Sequence, residues 1–254
     1  ARRNGWAPDG GISTLGFRLC LKEGTRAPKE VSKQPTPGEP WTVPTASIEM
    51  LWCEPGTFMM GSPESEEDRE IDSKGKKSFD ETQHQVTLTE GFYLGKYEVT
   101  QAQWKKVMGT SPSNFFGERR PVEQVNWTDV VRFCQDLTLM ERKAGRLPDG
   151  WEYALPTEAQ WEYACRAGTT TVFSFGDSLS SKEANFDGTQ PYGDLAKGPK
   201  LGTTSDVGSY GANPWGFFDM HGNVREWCAD WYGKYPTGLL TNPTGAASGS
   251  GRVA

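Results

Sequence analysis

The chain has 254 residues and a formal net charge of −6 with no run of Lys or Arg to offset it, which argues against a nucleic-acid partner. No apolar stretch approaches the roughly 20 residues of a membrane-spanning helix, and the length suits one large domain or two small ones. With 30 glycines, 17 prolines and 10 tryptophans in a chain only 35% hydrophobic, the composition describes a loop-rich fold anchored by large aromatics.

In chain order, Pro8-Asp9-Gly10-Gly11 signals a turn and Leu15 to Leu19 a short strand. Residues 21–47 carry five prolines among many Lys, Glu and Thr residues and read as a semi-extended linker, with a folded region starting near Ile48. Phe92 to Val99 suggests a strand. Thr100 with Gln103 forms a capping box that opens a helix to about Met108, because the two side chains can satisfy each other's free backbone donors. The longest helical pattern runs from Trp127 to about Ala144, with Val130, Val131, Cys134, Leu137 and Met140 expected along its apolar face. Thr157 and Gln160 make a second box, opening a helix from Glu158 to Arg166 with Gly168 as its stop. Beyond Gly168 the pattern is short turns, with aromatics gathered between Trp215 and Tyr232. So long an irregular stretch needs tethering.

Five cysteines, at positions 20, 53, 134, 165 and 228, include no CxxC pair, and the two histidines, His84 and His221, lie far apart. That inventory argues against a zinc site. An acid/base reading of Glu158, Glu162 and Asp230 is weak, since helix faces are ordinarily lined with solvated carboxylates.

Four stretches carry a family resemblance: Pro55-Gly56-Thr57-Phe58-Met59-Met60-Gly61-Ser62, Leu155 through Tyr163, Gly216-Phe217-Phe218-Asp219-Met220, and His221-Gly222-Asn223-Val224-Arg225-Glu226-Trp227. In order and spacing they resemble the domain of the formylglycine-generating enzymes, or sulfatase-modifying factors, over about residues 48–254. The resemblance implies an α+β fold, an elaborated C-type-lectin-like domain with few helices and much irregular loop. It also implies structural calcium, with carboxylates from Asp219 and Glu226 and backbone carbonyls from Gly222 and Val224. Asn185 and the carbonyl of Phe186 are similar to part of a second calcium site. Such oxygen donors suit Ca²⁺.

Two departures bear on activity. Arg225 stands where the family oxidases carry an aromatic residue. The sequence to Ala254 also contains no Arg-Gly-Gly-Ser motif followed by the cysteine pair that, in those oxidases, binds copper(I) and engages the substrate cysteine. No residue here is assigned a catalytic or cofactor-binding role, and copper is expected only were that pair present. An iron-dependent sulfoxide synthase would need a histidine cluster that His84 and His221 cannot supply.

Residues 1–20 are similar to the family domain's closing segment, displaced to the front of the chain. A tandem array divided within a domain and a permutation are both consistent with this. Either way, residues 15–20 are expected to dock as a final strand, in their own chain or by exchange in a homo-oligomer, because an unpaired strand edge invites pairing. The resemblance pairs Cys20 with Cys134 in a disulfide, while five reduced cysteines packed as small hydrophobes is the alternative. Cys165 matches a second disulfide position, and Cys53 and Cys228 are expected to be buried and inert. Function is thus expected to be either that of a catalytically incomplete oxidase domain or that of a calcium-stabilised module for a protein or peptide ligand.

Overall fold

The structure is a computed structural model that describes residues 5–6, 15–23, 34–66, 81–235 and 238–254. The turn expected at Pro8 to Gly11 lies outside these. Two short strands, β1 (Gly5–Trp6) and β2 (Leu15–Gly16), are followed by β3 (Cys20–Glu23), β4 (Trp41–Val43), β5 (Ile48–Cys53), β6 (Gly56–Met60), β7 (His84–Leu88) and β8 (Phe92–Gly95). Then come α1 (Gln101–Met108), α2 (Trp127–Lys143), β9 (Trp151–Ala154) and α3 (Glu158–Arg166). After a long irregular stretch the chain forms β10 (Arg225–Glu226), β11 (Leu240–Thr241) and β12 (Arg252–Val253). The arrangement is α+β, with helices few and loops long, as expected.

The main sheet is antiparallel and ordered β4-β5-β8-β3-β9, so the N-terminal strand sits between two strands from the middle of the chain. Cys20 pairs with both Leu94 and Ala154, and Leu21 with both Tyr93 and Tyr153. Without β3, facing backbone groups of β8 and β9 would have no partners, which is costly in a buried sheet. The segment therefore closes the sheet of its own chain. A parallel pairing of β2 with β10, Leu15 to Arg225 and Gly16 to Glu226, ties the same segment to the His-Gly-Asn-Val-Arg-Glu-Trp motif. A smaller sheet, β11-β7-β6, and the pair β1-β12 complete the strand pairing of the described residues.

These pairings move the expected boundaries. The break drawn after residue 20 falls inside β3, and the part of the linker from residue 34 onward is folded: Trp41–Val43 pairs with Ile48–Met50. Tyr93, buried in the sheet, donates its hydroxyl hydrogen to the carbonyls of Thr36 and Glu39, giving this proline-rich stretch a polar anchor. Residues 24–33 of the expected linker lie outside the described residues.

The three helices of the described residues begin in capping boxes, at Thr100, Asn126 and Thr157. On α2 the buried face differs from the expected one: Val130, Phe133, Cys134, Leu137, Thr138 and Glu141 are inside, and Met140 is 38% exposed. Phe133 turns the stripe, stacking on Trp104 at 5.4 Å and meeting Phe17 edge-on at 5.1 Å. Glu141 tolerates burial because Arg146 contributes bonds at 2.7 and 3.0 Å and the Thr45 N–H one at 3.0 Å. These bonds, working against burial, hold its carboxyl below the usual range.

All five cysteines are buried and unbonded, so the Cys20–Cys134 disulfide is absent and the reduced alternative is the one found. Cys134 belongs to the hydrophobic cluster beneath α1 and α2, and Cys20 to a second one, with Cys53 and Cys165, against α3.

Candidate functional site

The polar centre of the molecule is Arg18, a fully buried side chain on the stretch between β2 and β3. Its Nε donates to both oxygens of Glu226 at 2.8 and 3.0 Å, and its terminal nitrogens donate to the carbonyls of Gly95, Lys96 and Phe218. Glu98 lies 3.9 Å away on another side. Burial alone would push the guanidinium down, but Glu226, Glu98 and Asp219 outweigh it and hold it above its ordinary range. Burial in turn pushes Glu98, Asp219 and Glu226 up, with Arg18 offsetting this only in part. Glu226 is also held by the indole N–H of Trp161 at 3.0 Å, which ties α3 to the same centre.

The segment from Asp219 to Glu226 wraps this cluster because two of its residues, Asp219 (φ 58°) and Asn223 (φ 71°), adopt left-handed backbone. Asp and Asn tolerate that region better than most residues. Asn223 is the hub that sequence reasoning missed. Its backbone N–H donates to the Asn185 carbonyl at 2.8 Å and its side-chain amide to Glu98 at 3.1 Å. Its side-chain oxygen accepts from Ser205 N–H at 2.8 Å and Asn185 Nδ2 at 3.1 Å. The signal was the Gly-Asn dipeptide, a turn signature with a side chain able to bridge loops. Gly222 is required beside it, since a Cβ there would lie 2.6 Å from the Asn185 carbonyl oxygen.

The structure thus brings the six expected calcium residues together. Phe186, Asp219, Gly222, Val224 and Glu226 line one cavity of 550 Å³, and Asn185 sits behind it through Asn223. Several of the oxygens are already engaged: Glu226 by Arg18, Asp219 by the Gly208 N–H at 2.6 Å, and the Asn185 carbonyl by Asn223. Among the described residues no group of three or more His, Cys, Asp or Glu side chains is arranged to hold a metal ion.

Aromatic side chains of Trp161, Phe173, Phe186 and Tyr192 wall the same cavity, with His221 and the exposed Arg225 also on its lining. His221 is neutral: burial pushes its imidazole down to about 3, and Nε2 lies 3.1 Å from the Ser174 N–H it accepts. Cys165 lies 3.9 Å from that ring, but burial pushes its thiol up to about 12, so the two form no activated nucleophile. Glu158, Glu162 and Asp230 serve the scaffold. Asp230 accepts the Glu158 N–H at 2.8 Å, and Glu162 accepts the Gly61 N–H at 2.8 Å while pairing with Arg166 at 2.7 Å. Among the described residues no helix is long and apolar enough to cross a membrane.

An α+β domain with a short sheet, long tethered loops and this buried centre is an elaborated C-type-lectin-like fold. The family described as the sulfatase-modifying factor enzyme 1-like domain matches residues 37–254, and the chain belongs to that family. A relative called chaperone protein LppX, from Paenibacillus barcinonensis, is 37% identical over 181 residues, covering 58% of this chain and 64% of its own. The formylglycine-generating enzyme of Mus musculus is 31% identical, over 67% of this chain and 42% of its own. The chain therefore spans less than two thirds of these relatives. Among solved structures, Treponema denticola variable protein 1 superposes with a TM-score of 0.65 at 25% identity, covering 85% of this chain and 86% of that one. PvdO from Pseudomonas aeruginosa gives a TM-score of 0.60 at 25% identity, with 82% and 83% covered.

Proposed function

We propose that this domain is a ligand-binding member of the formylglycine-generating-enzyme-like family that does not itself oxidise thiols. The observation that carries the reading is the state of its cysteines. All five are buried and unbonded, and burial pushes the thiols of Cys20, Cys53, Cys134 and Cys165 upward. Copper(I) chemistry of the kind the resemblance implies needs thiolates that are ionised and reachable by substrate. The test is incubation of the chain with copper(I), oxygen and a Cys-X-Pro-X-Arg peptide, followed by mass spectrometry. Unchanged peptide is expected, and catalytic conversion to the aldehyde overturns the reading.

Binding is favoured by the aromatic-walled cavity, whose 550 Å³ is within the ~300–1,000 Å³ common for small-molecule sites. Its wall holds Arg225 where the family oxidases have an aromatic, so the surface facing a ligand differs in charge from theirs. A protein or peptide ligand would enter by a side chain.

Calcium is part of the same proposal. Hard oxygen donors on Asp219, Glu226, Gly222 and Val224, with Asn185 and Phe186 adjacent, suit it. Glu98, Asp219 and Glu226 lie buried around the guanidinium of Arg18, and among the described residues Glu98 Oε2 has no hydrogen-bond partner. A bound ion would supply further positive charge here and cross-link the loops. Thermal unfolding with calcium against chelator tests it: a higher midpoint with calcium supports the assignment, and equal midpoints overturn it.

A further inference from the structure

We propose that the cavity takes an alkylammonium group, seated against Glu81. The inference rests on the reading of this cavity as a ligand site and adds the chemistry of the ligand. Among the described residues, seven carboxylate side chains and one guanidinium line the cavity, and the guanidinium belongs to the exposed Arg225. Several of the carboxylates have cations of their own: Glu226 has Arg18, Glu162 has Arg166 at 2.7 Å, and Asp187 has Lys200 at 2.8 Å.

Glu81 differs. It is 7% exposed, its Oε2 accepts from the Ser62 hydroxyl at 2.9 Å, and its Oε1 is buried with no hydrogen-bond partner among the described residues. Its position is fixed from the backbone, since the Ser62 N–H donates to the Glu81 carbonyl at 2.9 Å and Ser62 bridges to Thr82. Buried polar groups ordinarily find partners, and a buried carboxylate oxygen without one is the kind of group a ligand satisfies.

The geometry selects among cations. A guanidinium binds a carboxylate best through both oxygens, and Ser62 already occupies one of them. A single unpartnered oxygen suits an ammonium, which acts as a point charge. Trp161, Phe173, Phe186 and Tyr192 supply π faces for that charge and apolar contact for the methylenes behind it. The group could arrive on a lysine side chain or on a free amine, and the test separates the two.

Isothermal titration of the whole chain would use N-acetyl-lysine methylamide, its Nζ-acetylated neutral counterpart, N-acetyl-arginine methylamide and n-butylamine. The lysine derivative or butylamine is expected to bind at least tenfold more tightly than the neutral and arginine probes, the tighter of the two identifying the source. Glu81→Gln, which keeps an acceptor for Ser62, is expected to abolish that preference, and Glu81→Asp to retain part of it. Phe173→Ala is expected to weaken every probe. Equal binding of lysine and its neutral counterpart, or an ammonium preference that survives Glu81→Gln, overturns the ammonium assignment; if Phe173→Ala still weakens binding, the cavity reading stands. Absence of binding by all four probes overturns the assignment too, and the cavity reading then falls only if aromatic fragments also fail to bind in a Phe173-dependent way.

Discussion

Replacing Arg18 by Met should be among the most damaging single changes available in this domain. The side chain is fully buried, and Met keeps most of its apolar volume while removing five donated bonds. Glu226 would then be a buried carboxyl without its cation, with Glu98 and Asp219 close enough to disfavour its charge. Breaking a buried pair by removing one partner costs about 3–5 kcal/mol, a large part of the ~5–15 kcal/mol that holds a typical domain folded. At roughly 2–4 °C per kcal/mol for a chain of this size, the midpoint of thermal unfolding should fall by about 6–20 °C. Urea titration followed by tryptophan fluorescence measures the loss. The double variant Arg18→Met with Glu226→Gln separates lost charge from lost packing, because it removes the stranded charge as well. It should recover at least ~1 kcal/mol relative to the sum of the single effects. A loss below ~1 kcal/mol in the single variant, or strict additivity in the double, would refute the claim that this ion pair organises the centre.

Gly222→Ala should destabilise by about 1–3 kcal/mol, because its Cβ would meet the Asn185 carbonyl at 2.6 Å and backbone must shift to admit it; differential scanning calorimetry reads this directly. Alkaline pH should also weaken the fold. The thiols of Cys20 and Cys165 are raised from 9.0 to about 12 by burial, so the unfolded chain releases protons first. Their contribution is complete below pH 9 and is lost as pH rises toward 12, with a slope of about 1.4 kcal/mol per pH unit for each thiol. Cys165→Ala should flatten that slope in urea titrations between pH 8 and pH 10, and an unchanged slope would show that this thiol does not contribute. Light scattering should give the mass of one chain, since β3 already pairs with β8 and β9 of its own chain; a concentration-independent dimer would restore exchange of this segment between copies.

Much of the fold is local chemistry and is legible in the sequence. Thr100 with Gln103 and Thr157 with Gln160 place helix starts because a capping box needs only residues three apart. The family motifs likewise pointed to the loop that holds Asp219, Gly222, Val224 and Glu226, which the fold does bring onto one cavity wall. What sequence could not reach are relations between distant segments. Periodicity on α2 could not show that Phe133 would be claimed by Trp104 and Phe17, or that Arg146 would allow Glu141 inside. Proline content marked residues 21–47 as linker, but backbone pairing and the Tyr93 hydroxyl hold much of that stretch in the fold. Asn223 reads as an ordinary turn residue until tertiary folding surrounds it with Asn185, Ser205 and Glu98. Arg18 is the clearest case. In sequence it is one cation in a short apolar strand, and only the insertion of β3 between β8 and β9 carries it into the interior. There water no longer screens it, and Glu226, 208 residues away, becomes its partner.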